Sequence, residues 1–404
     1  HGASATATNS FVLGNTSHVV DIPSCKLKIG GSAGTNGHVL TTDGSGNVSW
    51  QSVTSAAGGV TCLATGNTYA GDDAAQAIIS GAVYNTGFGF KALYSLTNGD
   101  DNTAVGGYAL YSNTTGIRNT ASGYKALYAN TANYNQAFGY QALTTNTTGT
   151  GNTAVGYNAS YGNTTGNANT AVGNAALQTN TTGCKNTASG YAALIANTTG
   201  YKNAAVGYNA LASNTTGCAN TASGYRALCT NTTGLRNTAS GYKSMISNTT
   251  GCHNTGSGYQ ALKENTTGLY NTGIGSDALK NNTTGYYNVA VGNKALCLNT
   301  TANLNIGIGN QALRQTTTGP YNIAMGGDAL LANTTGAGNI AIGYLAMTSN
   351  TTPGYQTAIG YKALCANTTG GSNTAVGNKV LQANTTGGAN TSSGMYSMTS
   401  NTTG

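Results

Sequence analysis

Charge is what this chain of 404 residues most lacks. Lys and Arg together number 16 and Asp and Glu nine, so 6% of residues are charged, where a soluble domain carries about 25%. The net charge of +7 is spread singly along the chain, without the basic stripe or recognised module that nucleic-acid binding requires. Nucleic acid is therefore not an expected partner. Proline is scarce, at three residues, which excludes a collagen or polyproline rod. No apolar run approaches the ~18 residues of a membrane-spanning helix, so no membrane insertion is expected. No secretory signal opens the chain, and His1 in place of Met suggests a mature, trimmed or partial polypeptide. The four His (His1, His18, His38, His253) and the acids are scattered. With no paired carboxylates across a site, no Ser/His/Asp set and no Cys-x-x-Cys, the chain does not read as an enzyme, and no cofactor or metal is expected. Asp72-Asp73 and Asp100-Asp101 are the acids that stand together, a thin basis for a cation site.

What is present is order. Hydrophobic residues reach 39% and Gly 60 residues, and Ala, Val, Ile and Leu recur on a strict period, unlike a disordered tail. From Asn85 the chain aligns in rows of 17. One row reads Asn152-Thr-Ala-Val-Gly-Tyr-Asn-Ala-Ser-Tyr-Gly-Asn163-Thr-Thr-Gly-Asn-Ala168 and another Asn203-Ala-Ala-Val-Gly-Tyr-Asn-Ala-Leu-Ala-Ser-Asn214-Thr-Thr-Gly-Cys-Ala219. Nineteen rows fill residues 85–404, with row 119–134 one residue short. A fixed short period is the mark of a solenoid. Seventeen residues are too few for a helix pair, whereas small and β-branched residues between fixed glycines suit two short strands and tight turns. The expected fold is all-β: a parallel β-solenoid or β-roll of 17-residue coils over 85–404, preceded by an attachment or capping region, 1–84, with a small β-hairpin.

Within a row, counted from its first Asn, the third position is Ala or Gly (Ala104, Ala121, Gly256), the fifth Gly (Gly106, Gly123, Gly343) and the ninth nearly always Leu (Leu110, Leu211, Leu364). The fourth is Val, Ile, Met, Phe or Ser. Positions three and four face opposite ways on a strand, and both faces read as buried. So short a coil leaves its Val/Ile face uncovered on one chain, which predicts that identical chains pack around an axis as a homotrimer. The alternative is a single-chain solenoid whose core takes both the Leu and the Val.

The rows Asn102-Thr-Ala-Val-Gly106, Asn169-Thr-Ala-Val-Gly173 and Asn373-Thr-Ala-Val-Gly377, the first two followed by Ala-Leu and the third by Val-Leu, resemble the head repeats of trimeric autotransporter adhesins, the YadA-like β-roll. They are more similar still to the Asn-Thr-Ala-Val-Gly-Tyr rows of tail-fibre proteins from phages and other aquatic viruses. That likeness covers about four-fifths of the chain. It implies a structural fibre shaft or adhesin, extracellular or on a virion surface, serving as a spacer and touching receptors or cell-surface glycans. YadA-like heads have shorter coils, and many such fibres end in a trimerising chaperone domain, whereas this chain stops inside a coil at Gly404. An open solenoid end invites pairing, so a head-to-tail, self-polymerising and glycosylated extracellular filament is the alternative. In the N-terminal part, Leu27-Lys-Ile-Gly-Gly31 leads to a segment, 34–50, of a kind common in viral tail fibres. It reads as a hairpin of strands 38–41 and 48–50 about Asp43-Gly44, anchored by Trp50, the single Trp. Residues 71–79 read as a short helix or a strand capping the first coil.

Two candidate sites recur with the coil. Asn-Thr-Thr is formally a glycosylation sequon, with acceptors Asn113, Asn146, Asn163, Asn180, Asn197, Asn214, Asn231, Asn248, Asn265, Asn282, Asn333, Asn367 and Asn384. The other reading is an internal amide ladder at a turn. Adjacent acceptors would stand only about 4.8 Å apart, too close for branched glycans on every coil, which favours the ladder. The adjacent Thr114-Thr115 would point to opposite sides of a strand, which argues against a flat Thr face. Tyr191, Tyr208, Tyr225, Tyr242 and Tyr259 fall at the sixth position of successive rows, either as an aromatic stripe for sugar contact or as ladder packing over the glycines. Lys125, Lys263 and Arg118 read as solvated. Cys184, Cys218 and Cys252 recur every two coils and Cys229, Cys297 and Cys365 every four, too far apart within each series for disulfides. Free buried thiols or interchain bridges remain for them.

Overall fold

The computed structural model describes residues 65–78 and 81–404 in full, and before them the backbone of five strands: Lys28–Ile29, Ser32–Ala33, His38–Thr42, Val48–Ser52 and Val60–Cys62. The chain divides into two compact units, 1–62 and 63–404. In the first, the expected hairpin is present: His38–Thr42 pairs antiparallel with Val48–Ser52, Leu40 opposite Trp50. Its turn at 43–44 and the packing of Trp50 lie outside the described residues, as does the 27–31 lead apart from the backbone of Lys28–Ile29, which pairs antiparallel with Ser32–Ala33.

The second unit is a parallel β-solenoid. Twenty three-residue strands, from Thr68–Ala70 to Thr391–Ser393, follow one another with a single register. Thr pairs with Thr, Ala with Ala and Val with Val, as in Thr153–Val155 on Thr170–Val172. The ladder takes in one row more than the repeat count. Asn67–Tyr84 forms a coil although it ends without Asn-Thr-Thr-Gly, and its residues 71–77 are turns rather than a helix or a capping strand.

Each coil has one strand, not two. Its far side is built from residues in the left-handed region at the seventh, ninth and seventeenth positions, for example Ala175 (φ 56°), Leu177 (φ 52°) and Lys185 (φ 58°). Left-handed geometry costs a non-glycine residue roughly 1–2 kcal/mol. In return it turns successive N–H groups up and down the axis. In coil 169–185, Gly173, Ala175 and Lys185 donate to the preceding coil (Val155 O 2.8 Å, Tyr157 O 2.9 Å, Asn167 O 2.9 Å), while Thr170, Leu177 and Thr181 donate to the following one (Asn186 O 2.8 Å, Ala193 O 3.0 Å, Thr198 O 2.9 Å). Backbone groups in a short coil thus find partners without a second strand. The fifth-position glycine is obligatory. Gly190 has φ 138°, and a Cβ there would stand 2.5 Å from Gly207 O in the next coil.

The core is narrow. Third-position Ala or Gly, eighth-position Ala and ninth-position Leu are fully buried in coil after coil, as Ala188, Ala193 and Leu194. The fourth position faces outward and is uncovered on one chain, as expected of so short a coil: Val206 is 48% exposed and Val105 42%. The single-chain core therefore takes the Leu and leaves the Val outside.

Candidate functional surfaces

Two asparagine ladders run inside the solenoid. At the first position, each Oδ1 accepts from the next coil's Asn: Asn102 donates its backbone N–H (2.9 Å) and its Nδ2 (3.0 Å) to Asn85 Oδ1, and the same Nδ2 donates to Gly116 O (2.8 Å). At the twelfth, Asn163 Nδ2 donates to Asn146 Oδ1 (2.7 Å) and to Gly166 O (3.0 Å), and Asn180 repeats this on Asn163 and Gly183. These twelfth-position residues are the sequon asparagines, and every one from Asn113 to Asn384 named above is fully buried. In all of them but Asn113, which donates to Gly116 O alone, both amide hydrogens are engaged, and the folded coil leaves no room for a glycan on them. The amide-ladder reading describes their geometry.

The Tyr stripe is a set of stacks. Tyr191, Tyr208, Tyr225, Tyr242 and Tyr259 lie with ring centroids 5.2–5.4 Å apart and planes within 9° of parallel. Each pair contributes about 0.5–1.5 kcal/mol beyond its buried area. Their outer edges are exposed, but the ring faces cover one another. A sugar that docks on a ring face finds one free only at the stack's ends, beside Asn174 and Ser276. A second stack joins Tyr124, Tyr140 and Tyr157.

The outward residues of the strand make a third surface. Across all twenty strands the second and fourth positions hold Thr, Val, Ile, Ser, Ala, Phe, Met or Gln and no charged residue. They are half-buried or exposed throughout. The strip measures roughly 90 Å by 10 Å from strand spacing and rise. An exposed uncharged band of that extent is unusual on a monomer.

Lys91 pairs with Asp73 (4.0 Å), Arg118 with Asp101 (3.4 Å), and Asp100 Oδ1 accepts from Val83 N (2.9 Å), so three of the four paired acids already have protein partners. Lys125 and Lys263 are half-buried and Arg118 is exposed. Lys125 Nζ lies 5.4 Å from the Tyr124 ring centroid. The six repeat cysteines are free thiols, and burial pushes the Cys297 and Cys365 thiols up, away from the reactive thiolate. Among the described residues, no group of three or more His, Cys, Asp or Glu is placed to hold a metal ion, and no helix is long and apolar enough to cross a membrane.

One row escaped the sequence reading. The Thr-Thr pair lies in a turn, not on a strand, and its two hydroxyls differ. Thr164 Oγ1 donates to Thr181 O (3.0 Å), whereas its neighbour Thr165 is exposed and its hydroxyl has no partner among the described residues. The available signal was the contrast between positions: from residue 148 onward the second position swaps Thr for Val or Ile and the fourteenth does not, although the row at 85–101 carries Asn98 there. No protein-family model, curated protein or solved structure matches the chain.

Proposed function

We propose that the chain is a structural fibre shaft, a spacer of the adhesin or tail-fibre kind working outside the cell or on a virion, in which identical chains pack side by side through the uncharged strip. The observation that carries this is the unbroken ladder of twenty in-register strands, a stack held along its axis by backbone and amide hydrogen bonds at every step. Such a stack resists bending and sets a distance. Further support comes from the strip. Its footprint, on the order of 900 Å² by strand spacing and rise, matches the ~800 Å² that each partner gives to a stable interface. Lacking charge, it meets a copy of itself without repulsion. Receptor or surface-glycan contact belongs to the same reading, with the Tyr stack ends as the exposed ring faces.

Cryo-electron microscopy of the native material tests this. Three chains about one axis, strips inward, in rods of fixed length, is the expected result. A single chain repeating along an indefinite filament with the strip in water overturns it in favour of a self-polymerising filament.

A further inference from the structure

Two threonines stand side by side in the coil, and one of them has a task within the fold. The thirteenth-position hydroxyl bonds the next coil's carbonyl, as in Thr147 to Thr164 O (3.0 Å), Thr266 to Thr283 O (3.1 Å) and Thr385 to Thr402 O (3.1 Å). The fourteenth-position hydroxyl, every seventeenth residue from Thr148 to Thr403, is exposed in each of these coils and bonds nothing among the described residues.

Its persistence is not explained by backbone preference. The second position also carries Thr, on a strand where β-branching is favoured, and there the hydroxyl is dispensable: Ala204, Val289, Ile306, Ile323 and Ile340 replace it. Exposure does not explain it either. Other outward positions vary from row to row, the seventh holding Lys125, Gln141, Asn158, Ala175 and Asp277 among others. The fourteenth keeps Thr in all sixteen coils from 148 onward. A β-branched carbon alone would admit Val, and polarity alone would admit Ser, Asn or Lys. A retained hydroxyl without an internal partner points to chemistry done on it from outside.

One hydroxyl per coil, with no second polar group converging on it, is too little for a reversible ligand. It is sufficient for a nucleophile, which needs only to be reachable and to stand in a constant context, here Asn-Thr-Thr followed by Gly in most coils. Phosphorylation would place charges of −1.5 to −2 about 4.8 Å apart along the whole row, against 16 basic residues in the entire chain. A neutral group carries no such repulsion. It also hydrates a surface that has 6% charged residues, where soluble proteins rely on about 25–35% at the surface.

We propose that the row from Thr148 to Thr403 is an O-glycosylation face bearing one small, unbranched, neutral saccharide per coil. Each Thr Oγ attacks the anomeric carbon of a nucleotide-activated sugar. A carbon–oxygen bond to Thr forms, and the bond to the nucleoside diphosphate breaks. The diphosphate leaves with the electron pair, and the hydroxyl proton passes to a base of the glycosyltransferase. Coil spacing sets the size limit, since a branched glycan would collide with its neighbours. The proposal holds whether the chain is a shaft or a filament, so it stands or falls apart from the function proposed above.

Chain purified from its native source, cleaved after Tyr and sequenced by electron-transfer fragmentation, tests it. Peptides spanning 158–191 are expected to carry sugar-residue mass increments on Thr165 and Thr182, and none on Thr164, Thr181, Asn163 or Asn180. Unmodified Thr165 and Thr182 overturn the proposal. So do phosphate increments, or sugar confined to second-position threonines such as Thr170 and Thr187.

Discussion

At the third position of its coil, Tyr69 stands where nearly all later coils carry Ala or Gly. Its ring takes the space that Gly87 leaves in the next coil, where a Cβ would meet Tyr69 Cδ1 at 3.1 Å. Its hydroxyl is buried without a partner among the described residues, and burial pushes its pKa well above the ordinary 10.0. The folded state therefore holds this proton to higher pH than the unfolded chain does. The associated stability is complete below pH 10.0, the unfolded value, and is lost as pH rises from there towards the folded value. Tyr69→Phe removes both the unpaired hydroxyl and the titration. Thermal melts are expected to show the variant at least as stable at neutral pH, by up to about 1–3 kcal/mol, with a shallower fall above pH 10.0. A less stable Phe variant would mean that the hydroxyl has a partner. Thr316 is the complementary case. It replaces Asn at the twelfth position, so nothing donates to Asn299 Oδ1, which is left unpartnered, and Asn333 Nδ2, besides its bond to Gly336 O (3.1 Å), finds along the ladder the Thr316 hydroxyl at 3.4 Å in place of an amide oxygen. Thr316→Asn rejoins the ladder and is expected to raise unfolding stability by about 1 kcal/mol in denaturant titration. No gain would indicate that the ladder already accommodates the break.

At the scale of the coil, the fifth-position glycine is the element on which stacking turns. Gly224 has φ 136°, and an added Cβ would stand 2.5 Å from Gly241 O. That neighbour is backbone and cannot swing aside. Gly224→Ala is expected to cost about 1–3 kcal/mol, read as a lowered denaturation midpoint with protection from hydrogen exchange lost first around coils 220–253. Uniform loss along the whole ladder would instead mark the solenoid as one cooperative block. This glycine, the period, and the Ala/Leu core were legible in the sequence, because each asks for a distinctive residue type. The single strand per coil was not. Most of its left-handed positions hold Leu, Lys, Ala, Tyr or Gln, residues that carry no signal for positive φ, and cross-coil hydrogen bonds hold them there. The outward turn of the fourth position was half legible: alternation placed it opposite the third, but Val and Ile suggested burial where the chain alone provides none. The coil at Asn67 was hidden because Tyr69 and the closing 81–84 segment depart from the consensus.

At the scale of the whole molecule, the described solenoid is a one-dimensional array in which each coil touches its neighbours, so that stability accumulates coil by coil. The two amide ladders run down its interior, and the uncharged strip runs along its outside. The ladders hold coils to one another and are indifferent to what surrounds the chain. The strip adds little to a single chain's stability, because its residues stay exposed there. Fold and assembly are thus separable by substitution. Val172→Lys with Val206→Lys places two ammonium groups on the strip, at residues 40% and 48% exposed in the single chain, where long charged side chains extend into water without disturbing the core. If copies pack through this face as proposed, burying those charges against an apolar partner costs several kcal/mol per ion. The double variant is then expected to sediment as single chains while its circular dichroism and melting stay close to those of the parent. An unchanged sedimentation coefficient would place the contact between chains elsewhere. Unfolding of the variant would place the strip inside the fold, contrary to the exposure of its residues.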